Sequence, residues 1–462
     1  MRAALAPPSL RPLRDEIGAT LRLAAPLAAA NLMQMLVYAI DVIFVARLGQ
    51  EALAAASLSI ALFGLVAWSL SGLTGAVAPL VAAELGRNVH AVREVRRTVR
   101  MALWLALIGA AGGMAICALG QPLMLLTGQS PAVAARAGWF LAVLMFALPP
   151  MIASNVLRTF VSALGRPYFA TAITAAAIGV NALGNWVFVF GHLGAPALGL
   201  QGSAISSVIT SVITFLAYVL AIRADRRLRR YHLFGRFWRT EWSRFRELVR
   251  IGLPIAATIL AEAGLFSAAA FLMGRIGEAQ LAGHTIALQI AALAFQVPFG
   301  IGQAATIRVG YHYGAGNRAG VARAGWVAIV TGGAFMAITA SLMLLAPHLF
   351  LSIYVDVSAP ANAAMVGFAV QYMVVAAAFQ LFDGIQAVAA GALRGLQDTR
   401  VPMLIAIFAY WVPGAAASIG LGLHTPLAGL GVWLGLLIAL AVVAAMLLRR
   451  WSHRERLRLV PA

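Results

Sequence analysis

Three carboxylates stand where an ionised side chain is costly. Asp41 ends the stretch NLMQMLVYAID (31–41), Glu262 lies in PIAATILAEAGLF (254–266) and Asp383 lies in FQLFDGIQ (379–386), each inside an apolar run. At the centre of a membrane helix such a group costs about 2.5–3.5 kcal/mol on an insertion scale, and somewhat less toward an end. Acids kept at that cost commonly face a wet cavity or a bundle interior and mark a path for ions or substrates. The competing role is structural, a carboxylate paired with a polar neighbour to fix packing. The other acids of the chain fall in loops or near helix ends, so these three stand apart.

Polar spacing around Asp41 narrows the chemistry. GVNALGN sets Asn181 and Asn185 four residues apart, and GLQGSAISS sets Ser203 and Ser207 at the same spacing, so each pair shares a helical face. An Asp among amide and hydroxyl oxygens could bind a small hard cation, or could hold a proton when desolvated. The residues alone leave both open, and asparagines at this spacing also suit hydrogen bonding between helices.

The elements that must position these groups are membrane helices. Of 462 residues 62% are hydrophobic and 11% charged, against roughly a quarter charged in soluble domains. Twelve apolar runs are expected to span, near 20–46, 53–84, 101–125, 137–161, 168–191, 199–222, 249–274, 280–309, 324–350, 363–391, 401–422 and 427–448. Runs of this length cross a ~30 Å hydrocarbon layer as helices, whereas barrel strands would alternate over about ten residues. The expected fold is an all-α integral membrane protein.

Charge orients it. All 34 basic residues are arginine, and a cytoplasmic N-terminus puts nearly all of them on one side, leaving Arg47, Arg136 and Arg275 on the other. This positive-inside bias places both termini in the cytoplasm and sets the net charge of +19 against anionic lipid, with no nucleic-acid partner expected. The N-terminal MRAALAPPSLRPLRDEIG lacks an apolar core with a cleavage site and reads as no removable signal. Cys117 excludes an internal disulfide and is expected to serve packing. Between residues 223 and 250 ten arginines accompany Phe234, Trp238 and Trp242, a pattern that suits a basic helix on the cytoplasmic membrane surface.

That segment separates two related halves. A shift of 228 positions lays LAAPLAAANLMQ (23–34) on IGLPIAATILAE (251–262), pairing Pro26 with Pro254 and Gln34 with Glu262, and Gly49, Gly72 and Gly86 with Gly277, Gly300 and Gly314. The expected division is an N-terminal six-helix lobe (1–222), a basic cytoplasmic linker (223–248) and a C-terminal six-helix lobe (249–462). Parallel repeats of this kind commonly enclose a substrate path, which favours transport. Catalysis is disfavoured: a P-loop needs a lysine that the chain lacks, and the eight histidines form no metal-binding motif. A membrane enzyme would also need an acid or histidine cluster in a cytoplasmic loop.

Taken together, the acid of NLMQMLVYAID, the asparagines of GVNALGN, PIAATILAEAGLF with Glu262, and FQLFDGIQAVAAGALRGLQDTRVPM with Asp383 resemble the multidrug and toxic compound extrusion (MATE) family over nearly the whole chain. Having Glu262 and Asp383 together is similar to its NorM-type branch. The resemblance implies a V-shaped cavity between two six-helix lobes and alternating access. It implies a secondary antiporter of the bacterial cytoplasmic membrane, exchanging external Na+ or H+ for intracellular lipophilic cations, with no cofactor beyond the coupling ion. It assigns cation coupling and substrate binding to Asp41, Asn181, Asn185, Ser207, Glu262 and Asp383, with any Na+ at Asp41 or at Glu262 and Asp383. Gln34, Asn155, Ser203, Phe379 and Gln380 are secondary candidates, and Pro26 and Pro254 are expected bending points. Phe379 departs from the tyrosine that NorM-type proteins often carry four residues before the acid. A monomer is expected, since two lobes could complete a pathway within one chain. A lipid-linked oligosaccharide flippase of the same superfamily is the alternative, although it should carry basic groups deep in its spans, where this chain carries acids.

Overall fold

A chain segment inside hydrocarbon must satisfy its own backbone hydrogen bonds, so long apolar runs become helices. The computed structural model describes residues 13–235 and 237–460, among which there is no strand. Among the described residues, twelve helices are long and apolar enough to cross a membrane. They are α1 (Leu13–Ala46), α2 (Gln50–Arg87), α3 (Val92–Ala118), α4 (Pro131–Ala163), α5 (Tyr168–Phe190), α6 (Leu200–Ala224), α7 (Trp242–Ile276), α8 (Glu278–Gly314), α9 (Arg318–Leu345), α10 (Pro360–Gly395), α11 (Arg400–Leu423) and α12 (Gly429–Ser452). The N-terminal stretch expected to carry no removable signal lies, up to residue 12, outside the described residues.

Several helices are broken where the sequence weakens the backbone ladder. α2 is interrupted by a turn at Gly75 and Ala76, and α4 carries a 3-10 turn at Met145–Ala147 just before Pro149 and Pro150. α11 widens into a π turn over Tyr410–Gly414, which contains Pro413. Proline brings no N–H and crowds the preceding turn, so the extra residue of a π turn relieves it.

The segment from 223 to 250 corrects one expectation. It is not a single basic helix: α6 stops at Ala224, only the short 3-10 turn Arg229–Tyr231 follows, and α7 starts at Trp242. Asp225 stops α6 by accepting from the backbone N–H groups of Arg227 and Leu228 at 2.8 and 3.1 Å. His232 then takes a left-handed φ of 44°, which no helix continues. The four-residue spacing of Phe234, Trp238 and Trp242 therefore marks no helical face.

The chain forms two compact units. One comprises Ala29–Ala256; the other comprises the described residues up to Ala28 together with those from Ala257 onward. α1 and α7 are thus each shared between units, and both are divided two residues beyond a proline, Pro26 or Pro254.

Close packing holds each helix start in its unit. A Cβ on Gly252 of α7 would collide with the carbonyl of Leu73 on α2, and one on Gly300 of α8 would lie 2.7 Å from the backbone nitrogen of Ala28 on α1. Ion pairs reinforce both. In the first unit Arg244 of α7 donates to Glu84 at 2.9 Å, Glu94 at 3.1 Å and Glu247 at 2.8 Å. In the second, Arg308 of α8 grips Glu16 of α1 with two bonds of 2.9 and 2.7 Å, with His312 3.7 Å from the same carboxylate. The 228-residue shift carries Glu16 onto Arg244 and Glu84 onto His312, so the two anchors correspond with their charges reversed.

The first unit's apolar core gathers Phe63, Phe140, Leu141, Leu144 and Leu148 around Cys117, which is buried as a packing residue. In the second unit α8 and α10 meet backbone to backbone. A Cβ on Gly391 would strike the carbonyl of Gly302, and Thr306 donates to the Gly391 carbonyl at 2.8 Å.

Candidate cation and substrate sites

In the first unit α1, α5 and α6 converge on Asp41. Its Oδ1 accepts from the side-chain amides of Asn181 at 3.0 Å and Asn185 at 2.8 Å, and its Oδ2 accepts from the Ser207 hydroxyl at 3.0 Å. Asn181 and Asn185 have no solvent exposure, and Asp41 is 8% exposed. Ser206 ties the back of the cluster, donating to the Asn181 carbonyl at 3.0 Å and accepting from Asn185 at 3.3 Å. Gly184 permits this: a Cβ there would collide with the Ser206 hydroxyl and sit 3.1 Å from its Cβ. One acceptor remains, because Asn185 Oδ1 is buried with no hydrogen-bond partner among the described residues. The amides and the hydroxyl thus present N–H and O–H groups to the carboxylate, and the oxygens open to a hard cation are those of Asp41 together with Asn185 Oδ1.

In the second unit α7 and α10 bring Glu262 and Asp383 to one amide. Gln386 Nε2 donates to Asp383 Oδ1 at 3.1 Å and to Glu262 Oε1 at 3.4 Å. Asp383 and Gln386 are buried at 7% and 5% exposure. Arg394, eleven residues beyond Asp383 and so on the same face of α10, acts on Glu262 through its charge without reaching ion-pair distance. Tyr410, at the start of the π turn in α11, feels both acids, and its buried hydroxyl has no hydrogen-bond partner among the described residues.

The two clusters sit at different depths in their helices. Asp41 is five residues from the end of α1, about 7.5 Å along the axis, whereas Glu262 is fourteen residues from the end of α7, about 21 Å. In the repeat, Glu262 corresponds to Gln34 and Asp41 to Ala269.

Comparison with known proteins decides the family. Residues 26–187 and 254–418 match the MatE family model. A probable multidrug resistance protein NorM from Mesorhizobium japonicum is 47% identical over 444 residues, covering 96% of this chain and 95% of that protein. The chain belongs to the MATE family. A multidrug resistance protein NorM from Burkholderia vietnamiensis is 37% identical over 462 residues, covering 100% of this chain and 98% of that one, so this MATE chain is of NorM type. The fold is shared with the crystal structure of the eukaryotic MATE transporter AtDTX14, at a TM-score of 0.85 and 19% identity over 97% of this chain and 100% of that one. It is shared equally with an outward-facing multidrug resistance MATE transporter, at 0.84 and 20% over 96% and 97%.

Other residues singled out in this MATE chain fall elsewhere. Gln34 and Ser203 make no hydrogen bond to Asp41 among the described residues, and the Ser203 hydroxyl is buried without a partner there. Asn155 on α4 instead donates to the Ser71 carbonyl at 3.5 Å and to the Thr74 hydroxyl at 3.4 Å, where α2 breaks. Phe379 is buried with its ring 6.0 Å from Phe266 and 5.4 Å from Trp433, and Gln380 donates to Thr339 at 3.2 Å. Ser206, Gln386, Arg394 and Tyr410 join the clusters without having been singled out. Gln386 carried a readable signal, one helical turn past Asp383.

Proposed function

We propose that this chain is a secondary multidrug efflux antiporter that exchanges external Na+ or H+ for intracellular cationic amphipathic compounds by alternating access. One observation carries the reading. Among the described residues the acids outside ion pairs are Asp15, Asp41, Glu262, Glu278, Asp356 and Asp383; Asp15, Glu278 and Asp356 are exposed. The rest are the three span-embedded carboxylates, and each is held by neutral amide or hydroxyl donors. A carboxylate already satisfied by arginine has little to exchange. One held by neutral donors keeps its charge for a proton, a metal cation or an organic cation.

Asp41 with Asn181, Asn185 and Ser207, and Glu262 with Asp383, are then the coupling and substrate-attracting groups. Ionised, they attract a lipophilic cation; occupied by an incoming proton or Na+, they release it. One pH unit supplies about 1.36 kcal/mol per proton, roughly a tenfold gradient of a monovalent drug. The names of the NorM relatives support multidrug export. Acidic buried groups favour cations over the pyrophosphate lipids of a flippase. The site in this reading is the bacterial cytoplasmic membrane, with both termini inside and no enzymatic step.

The test is ethidium efflux from proteoliposomes under separately imposed Na+ and pH gradients, with Asp41→Asn, Glu262→Gln and Asp383→Asn for comparison. One gradient should drive efflux by the native chain and fail in the variants. Absence of efflux under both gradients, or native rates in all three variants, would refute the proposal.

A further inference from the structure

The turn after α6 forms a cavity of about 870 Å³ lined by Arg223, Arg226, Arg229, Arg230 and His232, with Phe234 in its wall. It lies within the first unit, at the arginine-rich end of the span and away from Asp41. We propose that it is a binding site for a ligand carrying two or more phosphate groups, of the kind an anionic diphosphatidyl lipid headgroup or a free polyphosphate presents.

Four features support a built site over a solvated patch. First, the loop is nailed down: Leu228, Tyr231 and Leu233 are at most 1% exposed, so the arginines between and beside them are presented from a fixed frame. Tyr231 packs edge-on against Phe160, 5.4 Å away, and Trp104 both stacks on Phe237 and donates to its carbonyl at 3.0 Å. Second, His232 closes the turn at a φ of 44°, a conformation a side-chain-bearing residue adopts only when its surroundings impose it. Third, aromatic faces orient the cations: Arg223 lies 5.6 Å over the Phe234 ring and Arg230 5.2 Å over Tyr231. Fourth, the guanidinium groups lack anions. Among the described residues Arg223, Arg226, Arg229 and Arg230 form no ion pair, and the nearby Asp225 instead pairs with Arg166 at 3.3 Å. The Nε of Arg230 is buried with no hydrogen-bond partner among the described residues.

The match to phosphate follows from donor geometry. A guanidinium presents a planar fork that fits two phosphate oxygens, and charge-assisted bonds of this type are about twice as strong as neutral ones. Four such groups against one monoanion would leave most of the charge uncompensated, which argues for a ligand with several phosphates. The volume lies within the ~300–1,000 Å³ of small-molecule sites and exceeds what a lone phosphate fills.

Native mass spectrometry of the purified full chain tests this, with diphosphatidylglycerol, inorganic tripolyphosphate and phosphatidylcholine as separate probes. The paired substitution Arg226→Gln with Arg229→Gln removes two exposed cavity arginines. Arg456→Gln with Arg458→Gln removes the same charge from exposed positions elsewhere. Diphosphatidylglycerol should bind the native chain, weaken about tenfold or more in the first pair and hold in the second. Tripolyphosphate binding with that dependence, while the lipid does not bind, supports the site and assigns it to a soluble anion. If neither anion binds, if both pairs weaken binding equally, or if phosphatidylcholine binds as well as diphosphatidylglycerol, the proposal is overturned.

Discussion

Asp41 and Glu16 are both buried acids on α1, yet their partners differ in kind. Glu16 commits both oxygens to Arg308, whereas Asp41, among the described residues, accepts from Asn181, Asn185 and Ser207. Asp41→Asn removes the charge, while the remaining oxygen can still accept from both asparagines and the new amide can donate to the Ser207 hydroxyl. Ion-driven ethidium efflux is therefore expected to fall about tenfold or more, while size-exclusion elution stays native. Asn185→Ala removes the unpartnered Oδ1 as well as a donor. If Na+ is the coupling ion, that variant should need higher Na+ for half-maximal efflux, by about tenfold. The acids and asparagines were legible because such residues are rare in apolar runs and helical spacing puts Asn181 with Asn185. Ser206 was not legible, because its role depends on a close approach that only Gly184 allows. Tyr410 was hidden too, since a π turn that redirects a side chain leaves little trace beyond Pro413.

Helix starts and helix contacts carry the next set of consequences. Gly184→Val pushes α5 from α6 at the Asp41 cluster and should destabilise by about 1–3 kcal/mol, read as a lowered thermal midpoint in detergent. At the buried anchor, Arg308→Gln strands the Glu16 carboxylate at 1% exposure and should cost about 3–5 kcal/mol. Adding Glu16→Leu to Arg308→Met should recover most of that loss, since two matched apolar groups need no partner. Arg244→Gln should cost less, about 1 kcal/mol, because that network is partly open to solvent. Element positions were legible from apolar run length, with ends displaced by up to nine residues, at the start of α3. α7 begins at Trp242 and not near 249, because arginines 244, 246 and 250 tolerate helix beyond the apolar run. The segment after α6 was misread as helical because spacing alone ignored Asp225 and His232, which end helical geometry on either side of Arg229–Tyr231.

At the scale of the whole molecule, the two compact units do not coincide with the two repeated halves. Each half contributes the beginning of one long helix to the unit made mostly by the other half. A chain cut between residues 235 and 242 should therefore yield fragments that copurify when coexpressed, and neither should resist proteolysis when expressed alone. The repeat itself was visible in the sequence; the exchange was not, because it rests on which backbone meets Leu73 and which meets Gly300. The reversed anchors then sort the partners. Two copies of the first half exchanging helix starts would bring Glu16 toward Glu84, and two copies of the second would bring Arg244 toward Arg308 and His312. Like charges would meet in both. Only unlike halves satisfy every charge, so the inversion acts as a mating rule that forbids self-pairing in a protein assembled from near-duplicates.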